Sequence, residues 1–347
     1  METRINHVKR PMEKEILLSH GSGGRSMHQL VEGLIVPQLN NPTLSRLEDQ
    51  ALLDVGGVRL AFTTDSFVVD PIFFPGGDIG SLSVHGTIND LAMGGARPVA
   101  LSLSLILEEG LPMADLERVL ASVHRAAEEV GVSIVTGDTK VVHRHSADKL
   151  FINTSGVGVV EEGVVLDATT VQDGDAIIVS GTLGDHGMAI MSRREGFVFD
   201  APIESDSAPL WSLVEAMLAA APGAIRTMRD PTRGGLATTL NELAQRAGVG
   251  MVLLEEEIPV HEPVQAACEI LGLDPLYVAN EGKLVAMVEP SRAGHLLEAM
   301  QAHPHGTQAR IIGHAVSNHP GEVVLRTTLG GTRIVDMLSG DPLPRIC

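Results

Sequence analysis

Cysteine and aromatic residues are scarce in this sequence of 347 residues. Its two cysteines, Cys268 and Cys347, stand far apart, so they provide neither a disulfide framework nor the paired spacing of a zinc site. This usage fits a reducing cytoplasm, which is the location that we expect. Aromatic residues make up only 3% of the chain, so its cores must be built from aliphatic side chains.

Long apolar runs and an excess of basic residues are also missing. No run approaches the roughly 18 apolar residues that a membrane-spanning helix needs. Residues 1–14 read as a polar leader without the apolar segment of a signal peptide. The formal net charge of −19 argues against nucleic acid and anionic membrane as partners. Nucleotide binding stays open, because a magnesium ion can bridge carboxylates and phosphates.

The remaining composition is typical of a globular protein with two domains. Hydrophobic residues make up 44% and charged residues 20% of a chain that is long enough for two cores. Predicted strands and helices alternate in both halves, which indicates an α/β or α+β fold. We place an N-terminal domain at residues 15–165, a C-terminal domain at 166–337 and a flexible tail at 338–347.

Hydrophobic periodicity and turn residues predict individual elements. Residues 115–130 repeat apolar side chains at the helical period, and Gly131 follows as a C-terminal cap. A helix with an apolar face is expected near the N-terminus, with Ser26 as its cap. Residues 132–135 are expected to form a short buried strand that ends in a turn at residues 136–140.

Acidic residues recur among small residues where predicted strands end or loops meet helices. Magnesium binds a few carboxylates together with water and phosphate oxygens, and glycines let the backbone approach a polyphosphate. A capping or turn role is the alternative for any single aspartate, but the set as a whole favours a magnesium–nucleotide site. The set consists of Asp49, Asp65, Asp90, Asp138 and Asp230.

A glycine-rich loop, formed by Gly21, Ser22, Gly23 and Gly24, precedes the first predicted helix. Its backbone N–H groups could hold an anion. The loop lacks the Gly-Lys-Ser/Thr of a Walker A motif, and it is not the dinucleotide fingerprint either. A flexible turn is the alternative interpretation.

Lys140 and Glu281 also stand beside glycines, in Gly-Asp-Thr-Lys and Asn-Glu-Gly-Lys. They could form a proton-transfer or orienting pair near a bound group, and two solvated surface positions are the alternative. The histidine pairs His143/His145 and His303/His305 have no cysteine or third histidine nearby, so we assign them to loops rather than to a zinc site. Cys268 lies on a helical face and is expected in the core.

The sequence ends in Pro344-Arg345-Ile346-Cys347, which puts a thiol at the end of a tether. Ten extended residues span about 35 Å, enough to leave one site and enter another. The cysteine does not stand four residues from the end, so prenylation is excluded. A frayed end with an accidental cysteine is the alternative.

Taken together, these segments resemble the HypE family of hydrogenase maturation proteins, within the PurM-like superfamily of aminoimidazole ribonucleotide synthetase and selenophosphate synthetase. The acidic turns are shared across the superfamily, whereas the terminal Pro-Arg-Ile-Cys is typical of the HypE family. The matching segments include Glu48-Asp49-Gln50-Ala51, Thr63-Thr64-Asp65-Ser66, Asn89-Asp90-Leu91-Ala92, Thr136-Gly137-Asp138-Thr139-Lys140, Thr232-Arg233-Gly234-Gly235 and Ala279-Asn280-Glu281-Gly282-Lys283.

The resemblance implies an ATP-dependent carbamoyl dehydratase that acts on its own tail. A partner, HypF, would place a carbamoyl group on the terminal thiol, and dehydration would give a thiocyanate. The cyano group would pass to iron held by a HypC–HypD complex and become a ligand of the [NiFe] hydrogenase centre. The same resemblance implies two PurM-like domains and a homodimer formed through the N-terminal sheet, with ATP near the interface.

Site residues follow from the same resemblance. Glu281 would serve as the base and Lys140 as the orienting group at Cys347, although the sequence does not fix which is which. The remaining residues would bind ATP and Mg²⁺. Asp65, Asp90 and Asp230 would hold the metal, and Gly21, Ser22, Gly23, Gly24, Asp49, Thr64 and Asp138 would hold the nucleotide.

Two other functions remain open from the sequence. One is a small-molecule synthetase or kinase of the same superfamily, which would have no use for a terminal cysteine. The other is a thiol carrier or scaffold without catalysis, against which the set of acidic turns counts.

We also expect the terminal carboxylate to raise the pKa of Cys347 and Arg345 to oppose that rise, so that the free thiol is not unusually reactive.

Overall fold

The computed structural model of the chain describes residues 13–197, 202–340, 343 and 345–347. One sheet is built from residues up to Val160 and a second from Ala176 onwards. Most of the predicted leader, residues 1–12, lies outside the described part of the chain. Within the described residues, no helix combines the length and the apolarity that crossing a membrane requires.

Strands and helices alternate in both halves, as predicted. The strands are β1 (Ala51–Val55), β2 (Val58–Phe67), β3 (Phe73–Phe74), β4 (Gly77–Asp78), β5 (Ala96–Glu108), β6 (Ser133–Val142), β7 (Leu150–Val160), β8 (Ala176–Val179), β9 (Ile225–Arg229), β10 (Gly250–Leu254), β11 (Val285–Val288), β12 (Arg310–Val316), β13 (Val323–Arg326) and β14 (Thr332–Ile334). The α-helices are α1 (Arg25–Leu30), α2 (Val36–Leu39), α3 (Ile79–Met93), α4 (Met113–Val130), α5 (Asp185–Glu195), α6 (Trp211–Ala220), α7 (Gly235–Ala247), α8 (Glu262–Leu271) and α9 (Pro290–Gln301).

The N-terminal domain is a five-stranded sheet with the order β1-β2-β7-β5-β6, covered on one face by α3 and α4. The predicted helix at residues 115–130 is confirmed as α4, and Gly131 ends it with φ +74°. Helix α3 begins at Asp78, whose carboxylate accepts a hydrogen bond from Gly80 N at 2.8 Å. Capping fixes the start of α3, and the buried length of the helix then carries Asn89 and Asp90 towards the second domain.

The opposite face of this sheet is open in the single chain. Large apolar side chains cluster on it, and polar side chains occupy its centre. Neighbouring strands place these side chains on one side because the registers pair them directly. The exposed apolar residues of this face include Leu53, Val55, Val58, Phe62 and Val157.

Two predictions for the N-terminal domain are wrong. Strand β6 runs from Ser133 to Val142 and is mostly exposed, so residues 136–140 are strand rather than turn. An edge strand has a neighbour on one side only, here β5, and the apolar run of 132–135 covers just its beginning. Ser26 is not a cap, because α1 begins at Arg25 with Gly24 as its N-cap.

The C-terminal domain is a seven-stranded sheet with the order β14-β13-β10-β12-β8-β11-β9. Alternate residues of β8 point to opposite faces, as in any strand. Ile177 packs with α7, whereas Ile178 packs with α6 and α9. The sheet is therefore buried on both faces, and the loops at its edges form the part of the domain that faces the first domain.

Asn89 of α3 joins the two domains. Its amide nitrogen donates to the carbonyl oxygens of Ala208 at 3.1 Å and Glu281 at 3.2 Å. Its amide oxygen accepts from Leu210 N at 2.8 Å. A buried amide with all these partners is costly to displace. Glu281 therefore has a position that depends on the N-terminal domain.

Candidate active site

Three carboxylates from separate elements meet between the domains. Asp49 precedes β1, Asp90 lies on α3 and Asp230 follows β9. Each offers an oxygen atom, and these oxygens all lie within 4.8 Å of one another. Such a cluster of hard oxygen donors fits Mg²⁺. The set differs from the predicted metal ligands, because Asp49 takes the place expected for Asp65.

Burial governs the protonation of this cluster. It raises the pKa of Asp230 to about 6, and it raises the pKa of Asp49 and Asp90 well above the usual range. Repulsion from Asp230 adds to the rise at Asp90. Arg229 opposes the rise at Asp49, where Nε lies 2.8 Å from Oδ1. The buried negative charge is thus only partly compensated by the chain itself, and a cation would complete the compensation.

A cavity of about 310 Å³ opens from this cluster. Gly23, Thr64, Asp65, Arg233 and Glu281 line it together with the three aspartates. A second cavity of about 400 Å³ is lined in part by the tail, and it shares four lining residues with the first cavity: Met27, Thr64, Asp65 and Arg233. The acidic site and the tail site are therefore neighbours separated by a few side chains.

The glycine-rich loop lies along both cavities. Gly21 and Ser22 line the tail cavity, and Gly23 lines the acidic cavity with φ +76°. A Cβ atom on Gly23 would clash with the backbone carbonyl of Arg233, so close packing alone already requires glycine there. The loop is thus a wall of the site rather than a free turn, and its expected contact with phosphates stays a prediction.

Cys347 is buried beside these cavities, with 4% of its surface exposed. Arg233 Nη1 donates a hydrogen bond to its Sγ at 2.9 Å. Burial raises the pKa of Cys347 to about 12, and Arg233 acts against that rise. The pKa of Cys347 is raised, as predicted, but the causes differ. Burial raises it in place of the terminal carboxylate, and Arg233 opposes the rise in place of Arg345.

Glu281 faces the same space. Burial first, and then repulsion from Asp65, raises the pKa of Glu281 well above its usual range, while Arg233 lowers it. Its Oε1 is buried and has no hydrogen-bond partner. The backbone is fixed instead, because Glu281 N donates to Asp206 Oδ1 at 3.1 Å. A rigid backbone with an unpartnered carboxylate oxygen suits a group that accepts a proton from a substrate.

Lys140 and Asp138 lie elsewhere in the single chain. Both are exposed on β6, where Lys140 Nζ lies 2.6 Å from Asp138 Oδ2. This contact lowers the pKa of Asp138. In the described part of the chain, neither residue lines either of the two cavities. The strand registers run from Asp138 through Ser104 and Asn153 to Ser66. That path places Asp138 about 14 Å from β2 on the open sheet face.

Several site residues were not assigned from the sequence. Arg233 stood in a noted motif, and its position after an acidic turn was the available signal. His186 Nε2 lies 2.6 Å from the carbonyl oxygen of Ile346. Arg229, Asp206 and Asn89 act through contacts between elements that are distant in sequence, and no local pattern indicates them.

Known proteins resemble this chain in sequence over nearly its whole length. Residues 47–160 match the N-terminal domain of the AIR synthase related protein family, and residues 172–326 match its C-terminal domain. A carbamoyl dehydratase HypE from Azotobacter vinelandii is 58% identical over 94% of this chain and 96% of its own length. The Escherichia coli carbamoyl dehydratase HypE is 47% identical over 96% and 99%, respectively.

Solved structures agree with the sequence relatives. The structure of a HypE in complex with ATP superposes with a TM-score of 0.81 at 51% identity, covering 96% of this chain and 100% of that one. A HypE–HypF complex gives a TM-score of 0.85 at 47% identity, covering 89% and 99%. A thiamine monophosphate kinase from Aquifex aeolicus has 21% identity and a TM-score of 0.65, which indicates a common fold only.

The acidic cluster predicts how magnesium stabilisation depends on pH. Neutral carboxyls favour the folded, metal-free chain below about pH 4, and this contribution is lost as the pH rises through about 6. Mg²⁺ requires the ionised carboxylates, so the rise in melting temperature that it causes should be small at about pH 5 and largest at about pH 7.5. Scanning fluorimetry with and without Mg²⁺ measures this rise.

Matched variants identify the carboxylates responsible. Asp230→Asn should remove most of the magnesium-dependent rise, whereas the same change at the exposed Asp138 should leave it intact. A rise that is equal at both pH values, or unchanged in Asp230→Asn, would contradict the assignment of the cation to this cluster.

Proposed function

This chain belongs to the AIR synthase related protein family and, within it, to the HypE carbamoyl dehydratases, and we propose that it uses ATP to dehydrate an S-carbamoyl group on its own Cys347 to a thiocyanate. The observation that carries the proposal is the position of Cys347 Sγ. It is held by Arg233 inside a cavity whose walls include residues of the acidic site. The substrate thiol and a metal–nucleotide site thus meet within one chain.

Dehydration of an amide needs a better leaving group than its own oxygen. Attack by the carbamoyl oxygen on the γ-phosphoryl group of ATP releases ADP and converts that oxygen into part of a phosphate. Loss of the phosphate and of both N–H protons then leaves S–C≡N. The sum is thiocarbamate plus ATP giving thiocyanate, ADP and phosphate, with the oxygen of the carbamoyl group ending in the phosphate. Positioning and charge neutralisation are what the protein must supply.

The acidic cluster would hold the metal that accompanies ATP. Asp49, Asp90 and Asp230 have the donor type and spacing for Mg²⁺. Magnesium bound there would neutralise charge on the phosphates. Gly23 and Thr64 line the same cavity and would contact the nucleotide, and Asp65 stands between this cavity and the tail. This placement suits ATP whose γ-phosphoryl group points towards Cys347.

Arg233 is the group best placed to act on the carbamoyl group. Its guanidinium already donates to Sγ, and Nη2 lies 4.0 Å from Asp65 Oδ1. The carbamoyl oxygen is two bonds from Sγ, so another N–H of the same guanidinium can reach it. Arg233 would orient that oxygen and then stabilise the charge that develops on the transferred phosphoryl group.

Glu281 would accept a proton from the carbamoyl nitrogen. Its raised pKa makes it a stronger base once ionised, and the positive charge of Arg233 favours the ionised form. Glu281 also affects Cys347 electrostatically, which places the two side chains in the same neighbourhood. The assignment of Glu281 as base and Lys140 as orienting group is part of the proposal.

A role for Lys140 depends on a homodimer. Lys140 lies on the open face of the N-terminal sheet, and Thr64 lies on the same face at the rim of the acidic cavity. Five large apolar side chains are exposed there, which a solitary soluble chain rarely tolerates in one patch. We assign this face to a second copy of the chain, and a second copy could bring its own Lys140 to the site.

One proposed partner is supported by a solved structure, and the other rests on the family resemblance. A HypE–HypF complex supports HypF as the protein that loads Cys347 with a carbamoyl group. A HypC–HypD complex would accept the cyano group, as the maturation of [NiFe] hydrogenase requires. Both described cysteines are free thiols, which supports action in the cytoplasm.

Mass spectrometry of the tail tests the proposed reaction. The chain, loaded by HypF, should lose the mass of one water at Cys347 when Mg-ATP is added, with one ADP formed for each group converted. Glu281→Gln and Arg233→Met should each slow this conversion by about 10²- to 10⁴-fold while ATP binding is retained. Cys268→Ala is the matched control for cysteine replacement and should convert normally.

Each alternative function has its own outcome in this assay. ATP turnover without any change at Cys347 would indicate a small-molecule synthetase or kinase. A carbamoyl group that stays unchanged without ATP turnover would indicate a carrier. Either result would overturn the dehydratase proposal for this chain.

The sheet-face assignment predicts a change of oligomeric state. Phe62→Asp places a charge in the apolar patch and should convert the dimer to a monomer, with a weakening of association by at least about 100-fold. Light scattering after gel filtration measures the mass. Ile270→Asp, on the exposed surface of α8, is the matched control and should stay dimeric. A wild-type chain that is monomeric at micromolar concentration, or an unchanged Phe62→Asp dimer, would contradict the assignment.

A further inference from the structure

The tail is bound as a short added strand. Val68 N donates to an oxygen of the terminal carboxylate of Cys347 at 2.9 Å, and Asp70 N donates to the carbonyl oxygen of Arg345 at 3.2 Å. The two pairs run in opposite directions along the two segments, so the pairing is antiparallel, just beyond the end of β2. Main-chain pairing of this kind is a general way in which proteins hold extended peptides.

Side chains of the second domain complete the main-chain contacts. His186 Nε2 donates to the carbonyl oxygen of Ile346 at 2.6 Å, while Nδ1 accepts from Ser205 Oγ at 2.7 Å. Arg194 Nη2 donates to the carbonyl oxygen of Arg345 at 2.8 Å. The carbonyl groups of Arg345 and Ile346 and the terminal carboxylate of Cys347 therefore each have a donor from the body of the protein.

The tail side chains are held by two kinds of contact, one with carboxylates and one with apolar side chains. Arg345 donates to the Asp148 carboxylate and has a second carboxylate, Asp70 Oδ2, at 3.6 Å. Leu343 and Ile346 are buried at 6% and 4% exposure in an apolar cluster shared by both domains. The groove thus selects a positive residue two before the end and an apolar residue one before the end.

These contacts all lie within the last five residues, and the preceding segment is anchored separately. Arg25 N donates to the carbonyl oxygen of Leu338 at 2.9 Å, and Ser22 Oγ lies 2.9 Å from that of Gly340. Among the described residues, the contacts inside the groove come from Leu343 and residues 345–347 themselves, so covalent attachment acts mainly by raising the local concentration of the tail.

We propose that the groove is a peptide-binding site that works without the tether, so that a chain lacking its tail binds a separate peptide ending in Arg-Ile-Cys and dehydrates an S-carbamoyl group on its cysteine. The dehydration part rests on the proposed function. The reaction balances as before: the peptide thiocarbamate and ATP give the peptide thiocyanate, ADP and phosphate. The substrate class is thus a C-terminal S-carbamoyl peptide, including the tail of a second copy.

Binding is tested first, because it needs no chemistry. A chain that ends at Gly340 keeps the two anchoring contacts and leaves the groove open. Calorimetric titration with the peptide Leu-Pro-Arg-Ile-Cys should give saturable binding with a dissociation constant below about 1 mM. The full-length chain should bind the peptide at least about tenfold more weakly, because its own tail competes.

A second variant guards against failure of the shortened chain to fold. Full-length protein with Arg345→Glu and Ile346→Asp should release its tail and bind the peptide like the shortened chain. Absence of saturable binding in a folded sample of either variant would overturn the proposal.

Exchanging charges between the peptide and the groove tests whether the groove recognises the arginine of the peptide. A peptide with Glu in place of Arg should bind the shortened chain at least about tenfold more weakly. Asp148→Arg in the shortened chain should restore binding of the peptide with Glu and weaken binding of the original peptide with Arg. Glu298→Arg makes the same charge change at an exposed position of α9, and it should alter the binding of neither peptide. Equal binding of both peptides to all these chains would overturn the proposed specificity.

Turnover completes the test with a peptide whose cysteine was S-carbamoylated by cyanate. The shortened chain with Mg-ATP should remove one water mass from the peptide. If the full-length chain dehydrates its own tail but the shortened chain leaves a bound peptide unchanged, catalysis without the tether is refuted. If neither substrate reacts, the proposed dehydratase function fails, and the titration alone decides whether the groove is a peptide site.

Discussion

The contact between Arg233 and Cys347 is the interaction on which the site depends. A buried thiol has little tendency to ionise, and the pKa of about 12 shows that burial outweighs the nearby guanidinium. The docked cysteine is therefore held as a neutral, protected group rather than as a nucleophile. This state suits a thiol that receives its carbamoyl group elsewhere and returns to be dehydrated, because catalysis then acts on the attached group and requires no reactive sulfur.

Both domains contribute residues to this site. The N-terminal domain provides Asp49 and Asp90 and the segment that pairs with the tail, while the C-terminal domain provides Asp230, Arg233 and Glu281. Asn89 ties the backbone of Glu281 to the helix that carries Asp90. Helix α3 thus connects the acidic cluster to Glu281, so that a small shift between the domains would affect both.

The sequence was most informative where local patterns determine structure. Helix α4 shows the 3.6-residue repeat and ends at a glycine, as predicted. Four of the five acidic turns and the terminal cysteine lie around the two cavities, and their roles stay predictions. Tertiary relations were harder, because no pattern within β6 reveals that it is an exposed edge, and no spacing reveals that Asp49 rather than Asp65 joins Asp90 and Asp230. Arg233 acquires its role only when the tail folds back, a contact 114 residues away in sequence.

The central claim is that the carbamoyl oxygen itself attacks ATP while Cys347 is held at Arg233. The most direct measurement follows that oxygen. Chain loaded at Cys347 with a carbamoyl group carrying oxygen-18 is given Mg-ATP, and the released phosphate is analysed by mass spectrometry. The account predicts one labelled oxygen in phosphate for each thiocyanate formed. Unlabelled phosphate, with the label released as water, would contradict it.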